Sequence, residues 1–208
     1  MGKASEPGRV KTRLVPPLRP EEAARLNGAM IRATLRRMAG PDWDVELHLA
    51  GNPRVGDGLL GIPVIAQTGQ DLGERMSAAV THGFAQGYSA VVLIGSDHPT
   101  VPVAHLETAF RALEASGDMV IGPSEDGGYY LLGMTRLVPD VFEDMEFSVD
   151  TVFDETLRRV KGIGIPVVVL PEWYDIDQAP DLARLRHELA RSPDGDAELQ
   201  TVLEDIGP

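Results

Sequence analysis

The sequence contains no cysteine among its 208 residues. This absence excludes disulfide bonds, thiolate metal sites and cysteine nucleophiles, and a reducing cytoplasm is the simplest environment that suits it. No run approaches the roughly 18 consecutive apolar residues that a membrane-spanning helix needs. The first five residues also lack the apolar stretch of a signal peptide. We therefore expect a cytoplasmic protein without a membrane span.

Basic residues are scarce, because 19 Lys and Arg stand against 32 Asp and Glu, for a net charge of −13. A field of that sign repels phosphate backbones, which argues against a nucleic-acid partner. The length and a hydrophobic content of 43% predict a single domain over residues 1–208. The cations are concentrated, since residues 1–40 contain nine of them and three acids. The sequence therefore has a basic amino-terminal segment, and the rest of the chain is acidic.

Short apolar runs alternate with longer stretches of helical periodicity. The predicted strands are Val45–Ala50, Ile62–Ala66, Ala90–Gly95, Asp118–Gly122, Tyr129–Gly133 and Ile165–Leu170. The predicted helices begin at Pro20 and cover 71–86, 102–116, 150–161 and 178–191. Val91–Ile94 is apolar without alternation, which is typical of a strand covered on both faces. We predict a three-layer α/β/α fold with a mostly parallel sheet, and a tail after Ser192 that docks loosely.

In such folds ligands bind at the carboxyl ends of the strands, and Asp97 comes directly after one of them. In the segment Gly95–Pro99, this carboxylate is placed to hold a divalent cation or a ribose hydroxyl. A turn or a helix cap before Pro99 explains the same residue equally well.

The next strand end is followed by Glu125, Asp126, Gly127 and Gly128. Asp-Gly-Gly is a tight-turn signal, so a plain hairpin connection accounts for it. A role facing the substrate is the alternative, because the two acids would lie on the rim of the same cleft as Asp97.

Asp175 and Asp177 stand two positions apart after the last predicted strand. In an extended segment their side chains project the same way and could address one cation together. Asp177 could instead cap the following helix, or one aspartate could be the cap and the other the ligand.

The segment Pro7–Leu14 combines a glycine with three cations, which suits a di- or triphosphate. It matches neither the Walker A nor the dinucleotide pattern, and solvated charge near a terminus explains it as well. Arg75, in a predicted first helical turn, could reach a phosphate or form a surface ion pair. Together with the carboxylates, these cations indicate Mg²⁺ or Mn²⁺ and phosphate chemistry. The sequence has no G-x-S-x-G motif, which weighs against an α/β-hydrolase.

Five of these motifs, in this order, resemble the bacterial glycosyltransferase family of the GT-A, nucleotide-diphospho-sugar transferase fold, which includes radical-SAM/selenium-domain-associated transferases. The resemblance runs from Gly2 to about Leu185. The motifs are Lys3-Ala4 with Pro7–Leu14, Asp71–Met76, Gly95–Pro99, Gly122-Pro123 with Asp126–Leu131, and Asp175–Asp177 with Asp181-Leu182.

The resemblance implies a metal-binding aspartate at Asp97 and a second carboxylate from Asp175 or Asp177. It implies a nucleotide phosphate site at four residues, Gly8, Arg9, Lys11 and Arg13. Family members usually have an apolar first strand before this loop, whereas Met1 lies almost directly against it here, so we expect a shortened first strand. Asp126 is a candidate for an acceptor-side catalytic carboxylate, with Gly127 and Gly128 beside the substrate.

The leading hypothesis is a metal-dependent transferase that takes a glycosyl group from a nucleotide-diphospho-sugar. A more distant resemblance to phospholactate guanylyltransferase and the molybdenum-cofactor nucleotidyltransferases implies an alternative, in which an NTP donor reacts and pyrophosphate leaves. A nucleotide-binding domain without turnover is the third hypothesis. The sequence leaves the acceptor and the oligomeric state open.

Overall fold

The structure is a computed structural model that describes residues 1–51, 59–116, 118–147, 149–192 and 195–207. The chain forms two compact units. The first unit comprises Gly2–Ala66, Ser96–Val101 and Asp175–Pro208, and the second comprises Met1, Gln67–Gly95 and Pro102–Tyr174.

Strands and helices alternate as the apolar runs predict. In chain order they are β1 Gly2–Lys3, α1 Pro20–Met38, β2 Leu47–Ala50, β3 Val64–Ala66, α2 Leu72–Ala85, β4 Val91–Ile94, α3 Val103–Ser116, β5 Met119–Pro123, β6 Tyr129–Met134, α4 Val152–Gly162, β7 Val167–Val169, α5 Ala179–Arg191 and α6 Ala197–Asp205. Every predicted strand and helix is present within about two residues of its predicted ends, which is the usual accuracy of such bounds.

The first unit contains a parallel sheet in the order β1-β2-β3. The shortened first strand is therefore present as two residues, and Gly2 pairs with Leu49 of β2. Helix α1 begins at Pro20 with two acids in its first turn, as its dipole favours. Ile31 and Leu35 of α1 pack with Leu49 in one buried apolar cluster. The helix is thereby fixed against the sheet that leads into the segment Pro7–Leu14, here called the basic loop.

The second unit contains a mixed sheet in the order β4-β6-β5-β7. Strand β6 runs antiparallel to both neighbours, whereas β5 and β7 are parallel. Leu132 and Met134 of β6 share an apolar cluster with residues of α2 and α4. Gly133, between them, faces the other way, where a Cβ would lie 3.1 Å from Leu113 of α3. Helices thus cover both faces of this sheet, which confirms the α/β class and its layering.

The expectation of a loosely docked tail is wrong. Residues after Ser192 form α6, which buries Leu199, Val202 and Leu203. Arg36 of α1 donates to Asp196 at 2.7 Å. The tail therefore belongs to the core of the first unit, because its few apolar residues recur on one helical face. Within the described part of the chain, no helix is both long and apolar enough to cross a bilayer.

Leu199→Ala should destabilise the protein by about 2–4 kcal/mol, because the leucine is fully buried and the substitution leaves a cavity. Urea unfolding followed by circular dichroism measures the change. Glu204→Ala, at an exposed position of the same helix, is the control and should change the free energy of unfolding by about 0.5 kcal/mol or less. Equal effects of the two variants would show that α6 does not dock as described.

Candidate functional site

The start of the basic loop is fixed by β1 and α1. A Cβ at Gly2 would lie 3.1 Å from the hydroxyl of Ser96, so β1 runs close to the segment that carries Asp97. The buried Asn27 of α1 donates to the carbonyl of Lys3 at 3.1 Å and to the hydroxyl of Ser5 at 3.0 Å. Sequence reasoning missed Asn27, although a polar residue within the apolar face of a helix is a usable signal.

Lys11 connects the basic loop to two distant segments of the first unit. Its ammonium lies 2.6 Å from Oδ1 of Asp97 and donates to the carbonyl of Ile176 at 2.5 Å. The side chain is only 4% exposed. The backbone of Lys11 is left-handed, with φ at 48°, a conformation that costs a residue with a Cβ about 1–2 kcal/mol. The ion pair and the hydrogen bond offset that cost.

Asp97 presents its carboxylate at the edge of this cluster, where the side chain is 50% exposed. Its carbonyl accepts the N–H of Ile176 at 3.0 Å, which joins the segment after β4 to the segment before α5. Burial alone would raise the pKa of the Asp97 carboxyl, but the ammonium of Lys11 outweighs it and holds the pKa below its ordinary value. Asp97 is therefore a carboxylate at neutral pH.

Arg13 and Asp177 form a second contact between the same segments, with Nη1 and Oδ2 2.7 Å apart. Arg13 is 70% exposed, so this pair contributes little to stability. The helix cap that the sequence offered to Asp177 comes from Asp181, whose carboxylate accepts the N–H groups of Asp177 and Gln178. The Asp177 carboxylate therefore remains directed at the basic loop.

The other residues of the predicted phosphate loop are open to solvent. Gly8 has φ at 76°, and a Cβ there would meet nothing within 4 Å. Arg9 is 78% exposed and lies 3.3 Å from Glu6. Both alternatives from the sequence, a phosphate contact and solvated charge, fit these two residues.

The three predicted metal ligands lie in the first unit, but they form no compact triad. Among the described residues, Asp97, Asp175 and Asp177 do not bring one oxygen each within 4.8 Å of the others. Mg²⁺ in nucleotide sites is usually held by one or two carboxylates, and substrate phosphates complete its shell. The half-exposed carboxylate of Asp97 fits that chemistry.

Arg75, Asp126, Gly127 and Gly128 belong to the second unit. Arg75 donates to the carbonyls of Gly69 at 3.0 Å and Gln70 at 3.2 Å, so it closes the loop before α2. Within the part of the chain that the structure describes, Arg75 makes these carbonyl contacts and no surface ion pair.

Asp126 lies in the turn that joins β5 to β6, as the hairpin alternative predicted. Its Oδ1 accepts the N–H of Gly128 at 2.9 Å. Gly127 has φ at 86°, and a Cβ there would collide with the carbonyl oxygen of Asp150. The turn is therefore closely packed against Asp150, and the Asp126 side chain lies at an exposed position.

Residues 34–149 match the family described as "Uncharacterized protein conserved in bacteria (DUF2064)". The chain belongs to this family. The matched region includes Asp97, Arg75 and the turn at Asp126, while the basic loop and Asp175–Asp177 lie outside it. A search of curated proteins found no match.

A protein of Desulfovibrio desulfuricans G20, assigned to the nucleotide-diphospho-sugar transferases, is similar over almost the whole chain. The two share 33% sequence identity and superpose with a TM-score of 0.86, over 98% of this chain and 91% of the other. The family resemblance and the nucleotide-diphospho-sugar transferase fold are thus confirmed.

Two further structures show the fold at lower identity. Rv0371c of Mycobacterium tuberculosis H37Rv is 22% identical, with a TM-score of 0.51 over 75% of this chain and 83% of the other. A CMP:2-keto-3-deoxy-manno-octonic acid synthetase, in complex with CTP, is 14% identical. Its TM-score is 0.55, over 78% of this chain and 88% of the other. The fold therefore occurs both in a protein assigned to the nucleotide-diphospho-sugar transferases and in a nucleotide-linked synthetase.

Gly127→Ala should lower the free energy of unfolding by about 2 kcal/mol or more, because the residue has positive φ and no room for a Cβ. Gly128→Ala is the matched control, since that position has neither feature and its Cβ would meet only the side chain of Asp126. Urea unfolding of both variants measures the difference. If the two substitutions cost the same, the described turn is incorrect.

The pKa of Asp97 predicts a dependence of stability on pH. Because it is lower in the folded than in the unfolded chain, where it is about 3.9, the unfolded chain takes up the proton first. The contribution of Asp97 is complete above about pH 5 and is lost as the pH falls through the folded-state pKa. Urea unfolding at a series of pH values from about 6 to 2.5 measures this loss. As the pH falls, the free energy of unfolding should decrease less for Asp97→Asn than for the wild type. Lys11→Gln should also weaken the dependence of the free energy of unfolding on pH. If both variants keep the pH dependence of the wild type, the assigned ion pair is contradicted.

Proposed function

We propose that the protein is a metal-dependent transferase that uses a nucleotide-activated donor, with glycosyl transfer from a nucleotide-diphospho-sugar as its reaction. The observation that carries the proposal is the meeting of Lys11 and Arg13 with Asp97 and Asp177 in one unit. These groups come from three segments of the chain that are distant in sequence. Cations and carboxylates side by side are what a diphosphate and its divalent cation require.

The basic loop would bind the donor phosphates. Arg13 offers a mostly exposed guanidinium suited to a bidentate contact with phosphate, and Lys11 offers a fixed point charge. Gly8 leaves open space beside the loop backbone, so a phosphate can approach it. Arg9 would add a flexible charge at the rim.

Asp97 would hold the divalent cation, Mg²⁺ or Mn²⁺, with Asp175 or Asp177 as the second protein ligand. A metal bound there would neutralise negative charge on the leaving diphosphate. Lys11 and Arg13 would hold that leaving group in place through their own contacts. A structure of Rv0371c, 22% identical and with a TM-score of 0.50 over 74% of this chain and 84% of the other, is a complex with manganese.

Four residues of the second unit, Arg75, Asp126, Gly127 and Gly128, are proposed to contact substrate. Asp126 would accept a proton from the acceptor, because its carboxylate is exposed and is oriented by the N–H of Gly128. Gly127 and Gly128 would present backbone to the substrate, and Arg75 would contact phosphate once released from its loop carbonyls.

Nucleotidyl transfer is the second candidate. The fold likeness to the CMP:2-keto-3-deoxy-manno-octonic acid synthetase with CTP favours it. In that reaction the same cations would hold a leaving pyrophosphate. The chain is 33% identical, over almost its whole length, to a protein assigned to the nucleotide-diphospho-sugar transferases, and this supports glycosyl transfer as the leading proposal.

Isothermal titration with UDP-, GDP- and TDP-sugars and with NTPs, with and without Mn²⁺, tests the proposal. We expect metal-dependent binding of a nucleotide sugar or its nucleoside diphosphate. A preference for NTPs with release of pyrophosphate would identify a nucleotidyltransferase. Binding of a nucleotide without turnover of any acceptor would favour a binding domain, and no binding at all would exclude both enzymes.

Asp97→Asn should weaken metal-dependent nucleotide binding by about tenfold or more, because it keeps the shape of the side chain and removes its charge. Asp205→Asn, which removes a carboxylate paired with Arg25 in the same unit, is the charge-matched control and should bind nucleotide as the wild type does. The titration with Mn²⁺ present measures both. Unchanged affinity of Asp97→Asn would exclude Asp97 as the metal ligand.

A further inference from the structure

We propose that Lys11 makes cation binding at Asp97 conditional on the donor phosphates, so that the divalent cation enters with the nucleotide and binds the free protein only weakly. This inference rests on the proposed function, because it concerns the order in which that site is filled. It assigns Lys11 a second task besides phosphate contact.

The first support is the position of the ammonium. It lies 2.6 Å from Oδ1 of Asp97, and its bond to the carbonyl of Ile176 holds it at a second point. With 4% of its side chain exposed, Lys11 cannot turn into solvent without breaking both contacts. A cation that approaches Asp97 therefore meets a positive charge already in place.

The second support is the charge balance of the site. Asp97 is paired with Lys11 and Asp177 with Arg13, so these four groups sum to zero. A divalent cation on Asp97 would add two positive charges next to a buried ammonium, and such like charges repel strongly away from bulk water. A nucleoside diphosphate or triphosphate brings at least two negative charges, which removes the excess.

The third support is the hydrogen-bonding capacity of the ammonium. It has three N–H donors, and within the residues that the structure describes two of them are used, by Asp97 and the carbonyl of Ile176. One donor is left for a phosphate oxygen. Lys11 can thus bind the donor without giving up Asp97, and a phosphate next to it would turn the repulsion of the metal into attraction.

The test is a titration of the protein with Mn²⁺ alone, followed by the loss of the free-ion signal in electron paramagnetic resonance. Lys11→Gln removes the positive charge but keeps N–H groups that can bond to Asp97 and to the carbonyl of Ile176. We expect this variant to bind Mn²⁺ more tightly than the wild type, by about tenfold or more. Arg37→Gln, in the last turn of α1, removes the same charge elsewhere in the unit and should bind as the wild type does. Equal or weaker binding by Lys11→Gln would overturn the proposal.

Two further arms make the result specific. Lys11→Met should give the same gain, and the gain should vanish in Lys11→Gln combined with Asp97→Asn, because the effect acts through that carboxylate. A gain that survives in the double variant contradicts the proposal.

A further measurement uses the wild type alone and compares pyrophosphate binding with and without Mn²⁺. Mn²⁺ should raise the affinity for inorganic pyrophosphate about tenfold or more, at a Mn²⁺ concentration that gives no binding by itself. Mn²⁺ that binds equally well without pyrophosphate would overturn the inference. The variant titrations contain no nucleotide, so they can fail while the nucleotide panel succeeds, which separates this inference from the proposed function.

Discussion

The contact between Lys11 and Asp97 is the interaction on which the candidate site depends. An ammonium that is almost completely buried is stable only next to a negative charge, because burial removes its hydration. Asp97 supplies that charge, and the carbonyl of Ile176 supplies a second acceptor 165 residues away in the sequence. One side chain thereby joins the basic loop, the segment after β4 and the segment before α5. The same contact keeps Asp97 ionised at the pH of a cell.

The charge segregation of the sequence has two structural uses. Arg25, Arg32 and Arg36 of α1 pair with acids of the tail, at Asp205, Glu198 and Asp196. These contacts dock α6, and the cations of the basic loop remain for the proposed phosphate contacts. The excess of positive charge over the first 40 residues is therefore larger than the charge available to a ligand. A count of charges along a chain overstates a binding site when a distant helix neutralises part of it.

The residues of the first unit that are proposed for phosphate and metal do not distinguish glycosyl from nucleotidyl transfer. Either reaction needs cations on a leaving diphosphate and a carboxylate for the metal. The difference lies in which bond of the donor the acceptor attacks, and Asp126 is the residue proposed for the acceptor. One fold can carry different reactions, because function lies in the site and not in the fold.

The sequence by itself determined the order of strands and helices, because apolar periodicity is a local property that burial on one or two faces imposes. It also located the motifs after β4, after β5 and before α5, since ligand sites in α/β folds follow the strand ends. The capping of α5 by Asp181 and the helical spacing of the apolar residues in α6 are local features too, since they join residues three or four positions apart. Only the tertiary structure decided that Lys11 is buried against Asp97 and that α6 docks on α1. These contacts join residues far apart in the chain, and such contacts leave no local pattern.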